Sequence, residues 1–155
     1  MISLSLTSKS PNQTQKIGIQ IGKLAKSGDV FLLTGNLGSG KTCLTQGVAW
    51  GIGVKEYAFS PTFVLVKEYC GRLPLYHIDL YRLDSIEEII DLRLEEYTDS
   101  NGICIIEWAE KGLPVLPKEN LLITLNYISP RIRTLDFAPN GERYVQLLKS
   151  LEAEL

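Results

Sequence analysis

The octapeptide Gly35-Asn36-Leu37-Gly38-Ser39-Gly40-Lys41-Thr42 constrains this chain more than any other stretch. It satisfies the P-loop pattern: a glycine, four residues, then Gly-Lys and a hydroxyl residue. An apolar run, Val30 to Thr34, leads into it, and a helix-compatible stretch, Cys43 to Trp50, leads out. That is the strand, loop, helix setting in which such a loop works. Backbone N–H groups of the glycine-rich turn and of the helix N-terminus then converge on phosphate oxygens. Lys41 is placed to reach the β- and γ-phosphates, and the Thr42 hydroxyl to coordinate Mg²⁺. A glycine turn that merely caps a helix is the bland alternative, and the flanking strand and helix disfavour it.

Length and composition set the frame around that loop. With 155 residues the expectation is one compact domain, 1–155. The apolar and charged fractions are those of a soluble globular protein. No apolar run approaches the roughly 18 residues of a membrane span, so no membrane partner is expected. The start MISLSLTSKS lacks a basic segment and a continuous apolar core, so it does not read as a signal peptide. A formal charge of −2 argues against broad, charge-driven nucleic-acid binding, though it leaves room for a local basic patch. Cys43, Cys70 and Cys104 are far apart, no CxxC pair exists, and only His77 adds a ring nitrogen. Free buried thiols in a reducing cytoplasm are the simpler reading than a zinc site.

The rest of the chain supplies strands and helices in an order that suits an α/β sheet. Residues 2–7 alternate as a strand, and Ser10-Pro11 opens a helix that runs to about Lys26 on the stripe Ile17, Ile21, Leu24, Ala25. The helix after the loop should end near Gly51-Ile52-Gly53. Phe59 to Thr62 reads as a loop, Phe63 to Tyr69 and Leu73 to Leu80 as a hairpin turning at Cys70-Gly71-Arg72. Ser85 caps a helix whose inner face is Ile86, Ile89, Ile90 and Leu94. Ile103 to Ile106 is the short continuous apolar run of a strand buried on both faces. Two late strands, 120–127 and 131–137, precede a helix capped by Asn140 with Tyr144, Leu147, Leu148 and Leu151 inside.

A phosphate loop alone predicts binding; turnover also needs a carboxylate near Mg²⁺ and a group to position water. Glu107 follows the buried strand directly, on the sheet edge where ligands bind in open α/β folds. It is the candidate metal partner of Thr42, against the alternative of a capping or solvated glutamate. In Leu75 to Tyr81, alternation puts His77, Asp79 and Tyr81 on one strand face. That cluster suits water orientation, a water-mediated contact to Mg²⁺ or γ-phosphate sensing; a solvated sheet face is the alternative. A lone histidine such as His77 is more often structural than catalytic. Ser60-Pro61-Thr62 sits where a switch segment belongs, although such a tripeptide is also an ordinary turn. Trp108 suits stacking on a ligand or partner as well as plain packing.

Taken together, GNLGSGKT, SPT at 60–62, YHIDLYRL at 76–83 and IIEWAEKG at 105–112 with LP at 116–117 resemble the bacterial TsaE (YjeE) family over about Ser5 to Tyr127. The resemblance implies a small ATPase required for threonylcarbamoyladenosine (t6A) modification of tRNA. It implies a P-loop NTPase-like three-layer α/β fold, with central parallel strands flanked by antiparallel ones. ATP would sit on Gly35, Asn36, Leu37, Gly38, Ser39, Gly40, Lys41 and Thr42. Thr42 and Glu107 would hold Mg²⁺, with Lys41, Asp79 and Glu107 as the catalytic set. More loosely, Thr7 to Pro11 and Arg133, with Arg131 next, fall where the family contacts the nucleotide. The implied partners are the TsaD and TsaB proteins, with no strong direct tRNA binding expected at this net charge, and turnover without the partners would be slow. Two departures stand out: Asn36 replaces the usual Asp, and Arg93 stands where Gly is usual, a problem if that position needs positive φ. A P-loop small-molecule kinase and a non-catalytic nucleotide-gated adaptor are the competing classes. The arginines are scattered rather than gathered in a lid, and no Asn-Lys-x-Asp motif speaks for a GTPase.

Overall fold

The computed structural model describes residues 3–58 and 65–155. The Ser60-Pro61-Thr62 segment and the first residues of the strand expected from Phe63 lie outside them.

Strands β1 (Leu4–Ser8), β2 (Val30–Thr34), β3 (Val66–Cys70), β4 (Pro74–Asp79), β5 (Ile103–Glu107), β6 (Asn120–Tyr127) and β7 (Arg133–Asn140) form one sheet in the order β1-β7-β6-β2-β5-β4-β3. The four central strands, β6, β2, β5 and β4, run parallel. Antiparallel strands flank them, β7 and β1 at one edge and β3 at the other. β2 and β5 are buried at every position, which is why they read as unbroken apolar runs instead of alternating ones. Their C-terminal ends, at Thr34 and Glu107, open side by side on the same edge.

Helices α1 (Pro11–Leu24), α2 (Lys41–Ile52) and α5 (Glu142–Glu154) cover one face of this sheet. α1 starts as expected: Ser10 accepts from the Gln13 N–H and Pro11 occupies the first turn. α1 and α2 meet along Gly18, Gly22, Gly47 and Gly51. A β-carbon at Gly47 would stand 2.1 Å from the Gln15 carbonyl oxygen, and one at Gly22 2.3 Å from that of Val48. The glycines therefore let two backbones touch, and the helix carrying the loop's Lys41 is fixed against α1.

The other face is covered by shorter pieces: α3 (Ile86–Asp91), α4 (Glu95–Thr98) and two 3₁₀ turns, Ala109–Lys111 and Leu113–Val115. The single helix expected from Ser85 through Leu94 is broken here. α3 stops at Asp91, Ile90 is 55% exposed, and Arg93 takes φ 52° between the two helices. A non-glycine residue in that region carries strain of about 1–2 kcal/mol, and it is what redirects the chain into α4. Leu94 is buried all the same, from the far side of the break.

Three other expectations are corrected. The strand expected over 131–137 runs from Arg133 to Asn140, and Gly141, not Asn140, precedes α5. Asn140 is still paired with β6, its amide donating to the Asn120 side chain at 2.9 Å. The thiols are free, but only Cys104 is buried; Cys43 is intermediate and Cys70 exposed. α5 is pinned to the start of β2 by side chains far from it in sequence. Arg143 holds the Asp29 carboxylate through Nε at 2.9 Å and a terminal nitrogen at 2.6 Å, and the Val30 N–H donates to the Tyr144 hydroxyl at 2.8 Å.

Candidate functional site

The glycine loop leaves β2 at Gly35 and enters α2 at Lys41. Gly35, Gly38 and Gly40 have φ of 141°, 79° and 104°, a region that favours glycine, so this path is closed to most sequences. At Gly35 space adds a second reason, because a β-carbon would lie 2.4 Å from the Leu125 carbonyl oxygen. The loop turns back over Lys41, whose Nζ donates to the carbonyls of Gly35 (2.5 Å) and Asn36 (3.0 Å). The ammonium also lies 4.0 Å from the centre of the Trp108 ring. Burial lowers the Lys41 pKa below the usual lysine value, while Glu107, Glu110 and Asp79 oppose that shift.

Glu107, the last residue of β5, lies beneath this loop and is buried. Its Oε1 accepts from the Thr42 hydroxyl at 3.4 Å and its Oε2 from the Thr45 hydroxyl at 3.3 Å. Oε2 also lies 2.5 Å from His77 Nε2. Asp79 closes β4 in register with Glu107, and its Oδ1 accepts from the Tyr81 N–H at 2.8 Å. His77 and Asp79 are both buried, so their strand face is no solvated surface. The next residue after Glu107, Trp108, takes φ 58°. That turn sends its ring over Lys41 and against Tyr81, ring centres 4.9 Å apart. Glu110 then accepts from the Gly35 N–H at 3.2 Å, and Lys111 Nζ donates to the carbonyls of Tyr81 and Leu83.

These groups surround a cleft of about 480 Å³. Leu37 through Cys43 line it, facing Asp79, Glu107 and Trp108. Ser10, Pro11 and Thr14 close it from α1, and Pro130, Arg131 and Arg133 from the β6–β7 hairpin. Arg133 reaches across to the loop, donating to the Gly38 carbonyl at 3.2 Å and to that of Ser129 at 2.6 Å. Thr7 does not line the cleft: it is exposed on β1 opposite Thr134, and the α1 start takes that place. Gly35 and Asn36 serve through their carbonyls on Lys41.

A volume of this size suits a small-molecule ligand. A hydroxyl and a carboxylate side by side are the hard oxygen donors Mg²⁺ prefers, and Mg²⁺ normally takes one or two carboxylates with the remainder from water and phosphate. Among the described residues no group of three or more His, Cys, Asp or Glu side chains forms an all-protein metal cage. Two contributors escaped the sequence reading. Thr45 is one helical turn beyond Lys41, a spacing that marks the same helix face. Glu110 carried no signal beyond its place after the Glu-Trp pair.

The family model for the threonylcarbamoyl adenosine biosynthesis protein TsaE matches residues 8–134, which include the loop, both strand-end carboxylates and Arg133. The chain belongs to the TsaE family. A tRNA threonylcarbamoyladenosine biosynthesis protein TsaE from Bacillus subtilis is 40% identical over 152 residues, covering 97% of this chain and 95% of the relative. One from Treponema pallidum is 40% identical over 131 residues, covering 84% and 97%. The crystal structure of Bacillus subtilis YdiB superposes with a TM-score of 0.86 at 35% identity, covering 99% of this chain and 96% of that one. The structural likeness thus spans the cleft and the whole sheet, including the antiparallel edge strands β1 and β7 that lie mostly outside the family model's range.

Proposed function

We propose that the chain is a Mg²⁺-dependent ATPase of cytoplasmic t6A synthesis, acting on TsaD- and TsaB-type proteins by nucleotide-dependent binding and resetting by hydrolysis. The observation that carries this reading is the Thr42 hydroxyl set against the Glu107 carboxylate beneath a glycine loop.

On this reading Lys41 exchanges the carbonyls of Gly35 and Asn36 for the β- and γ-phosphates, a charge-assisted contact stronger than the one it gives up. Loop N–H groups and the α2 N-terminus bind the remaining phosphate oxygens. Thr42 and Glu107 would hold Mg²⁺, which would neutralise developing charge on the phosphates. Asp79, one strand over, would orient the attacking water or sense the γ-phosphate. Arg133 and Arg131, on the cleft wall, would supply positive charge toward the phosphates. Asn36 meets Lys41 through its carbonyl, so the missing charge of the usual Asp acts on the surroundings and not on that bond.

The test is association of the purified chain with TsaD and TsaB, measured with ATP, with ADP and without nucleotide, alongside ATP turnover. Binding that tracks the nucleotide, with turnover lost in Glu107→Ala, is the expected result. Binding indifferent to nucleotide would sink the proposal. Full partner function with Glu107→Ala and Asp79→Ala would instead make the chain a nucleotide-gated adaptor, and phosphate transfer to a metabolite would make it a kinase.

A further inference from the structure

We propose that His77 is a positioning residue for this site, holding the Glu107 carboxylate so that one oxygen faces the protein and the other faces Thr42. The inference rests on the metal role given to Glu107 above.

The two oxygens of Glu107 have different neighbours. Oε2 is met by His77 Nε2 at 2.5 Å and by the Thr45 hydroxyl at 3.3 Å. Oε1 is met by the Thr42 hydroxyl, whose side chain lines the cleft. A buried carboxylate with one anchored oxygen has little freedom to rotate, and the anchored side determines where the other oxygen points. Strand register explains the anchor. Glu107 is the neighbour of Asp79 across β4 and β5, and His77 is the neighbour of Ile105. Asp79 is itself a carboxylate and offers Glu107 no proton, so the ring of His77, two residues earlier on the same strand face, meets the carboxylate instead.

The cost side of the arrangement points the same way. Nε2 is the ring nitrogen turned to the carboxylate, and an N–H there donates to it. That leaves Nδ1 buried and without a hydrogen-bond partner among the described residues. Buried polar atoms are nearly always paired, and an exception calls for a reason other than stability. An aliphatic side chain at 77 would bury no orphan atom, but it would release Glu107. Groups that hold a metal ligand from behind set its orientation and tune the site although they never touch the ion.

His77 is the chain's only histidine, so imidazole ¹⁵N NMR of the wild-type chain reports on it without assignment. Three proteins are compared: wild type, His77→Leu, and His77→Gln, whose amide can return an N–H near the Nε2 position. Affinity for a non-hydrolysable ATP analogue is measured in EDTA, and Mn²⁺ affinity of the analogue-loaded chain by EPR. In His77→Leu, Mn²⁺ affinity should fall about 10- to 100-fold, while EDTA nucleotide affinity stays within about twofold of wild type. His77→Gln should recover most of the loss, and NMR should place the proton on Nε2. Wild-type Mn²⁺ affinity in His77→Leu, a glutamine variant no better than leucine, or an Nε2 that carries no proton overturns the role. If His77→Leu does not fold, the wild-type NMR and the glutamine variant still decide. A wild-type chain whose Mn²⁺ binding ignores nucleotide has a different meaning: it overturns the metal reading itself, and this role with it.

Discussion

The two faces of the sheet are built by opposite means. On one, α1 and α2 touch backbone to backbone through glycines, and α2 begins at Lys41. On the other, a six-residue helix, a four-residue helix and two 3₁₀ turns cover the strands; Trp108 meets the cleft just before the first of these turns, and Glu110 within it accepts from the Gly35 N–H. The glycine loop therefore grows from the face where two long helices touch backbone to backbone. The turn beside it, with Trp108 and Glu110, grows from the face made of short pieces. Opening free energies inside one fold commonly range from near zero to the global value, and ligand-responsive segments come from the low end. By that rule the half of the cleft built on α1 and α2 should open at higher free energy than the half built on the short pieces.

The faces meet at Lys41, and its removal should give the largest effect. Lys41→Ala should weaken ATP binding by about 100-fold or more, since charged hydrogen bonds contribute roughly 1.5–3 kcal/mol each; calorimetric titration checks it. A loss below tenfold would mean that loop backbone, not the lysine, holds the phosphates. Next come the face interiors. Ile89→Ala, in the thin face, should cost about 2–4 kcal/mol by leaving a cavity. Gly47→Ala, in the glycine seam, should cost about 1–3 kcal/mol by forcing the helices apart. Denaturant melts give both numbers. The sharper readout is nucleotide affinity at temperatures where both variants are folded: it should drop in Gly47→Ala and hold in Ile89→Ala. The reverse would break the assignment of rigidity.

Thiol chemistry probes the same contrast more gently. Burial pushes the Cys104 thiol up to about 12, and it also raises that of Cys43, against the pull of Arg133. A raised thiol pKa keeps the group protonated and unreactive at lower pH. At pH 8, exposed Cys70 should be alkylated first, Cys43 slowly and still more slowly with ATP bound, and Cys104 only on unfolding. Mass spectrometry of timed samples reads this order. The smallest effect is expected at Arg93→Gly. It relieves a positive φ but gains freedom in the unfolded chain, so the net change should stay within about 1 kcal/mol.

How much of this was legible in the sequence depended on range. The loop, the buried strands and Glu107 announce themselves because their signals are local: a glycine spacing, an apolar run, a charge right after it. The same holds for Ser10-Pro11 at the start of α1. The break after Asp91 was not legible in the apolar stripe Ile86, Ile89, Ile90, Leu94, which fits one helix; Arg93 standing where Gly is usual was its one signal, and only packing shows that Ile90 is left outside. Nor was the true path of β7, which pairing with β6 carries on to Asn140 through a proline. At the site, His77 and Asp79 were visible as a pair on one strand face. That Glu107 would bond to the first and not to the second could not be read from alternation, because it depends on a neighbouring strand and on Thr45 in a helix above it.

The clasp between Arg143 and Asp29 joins positions 114 residues apart. Asp29 stands at the entry to the strand that feeds the glycine loop, and Arg143 lies in the first turn of α5. β2, moreover, lies between β5 and β6, both made far later in the sequence. As the chain leaves the ribosome, the loop emerges before the strands that flank it in the sheet. Its strand gains both neighbours only after residue 127, and its clasp only after 143. A chain cut short between the loop and α5 would carry the whole glycine motif on a strand whose entry is unclasped.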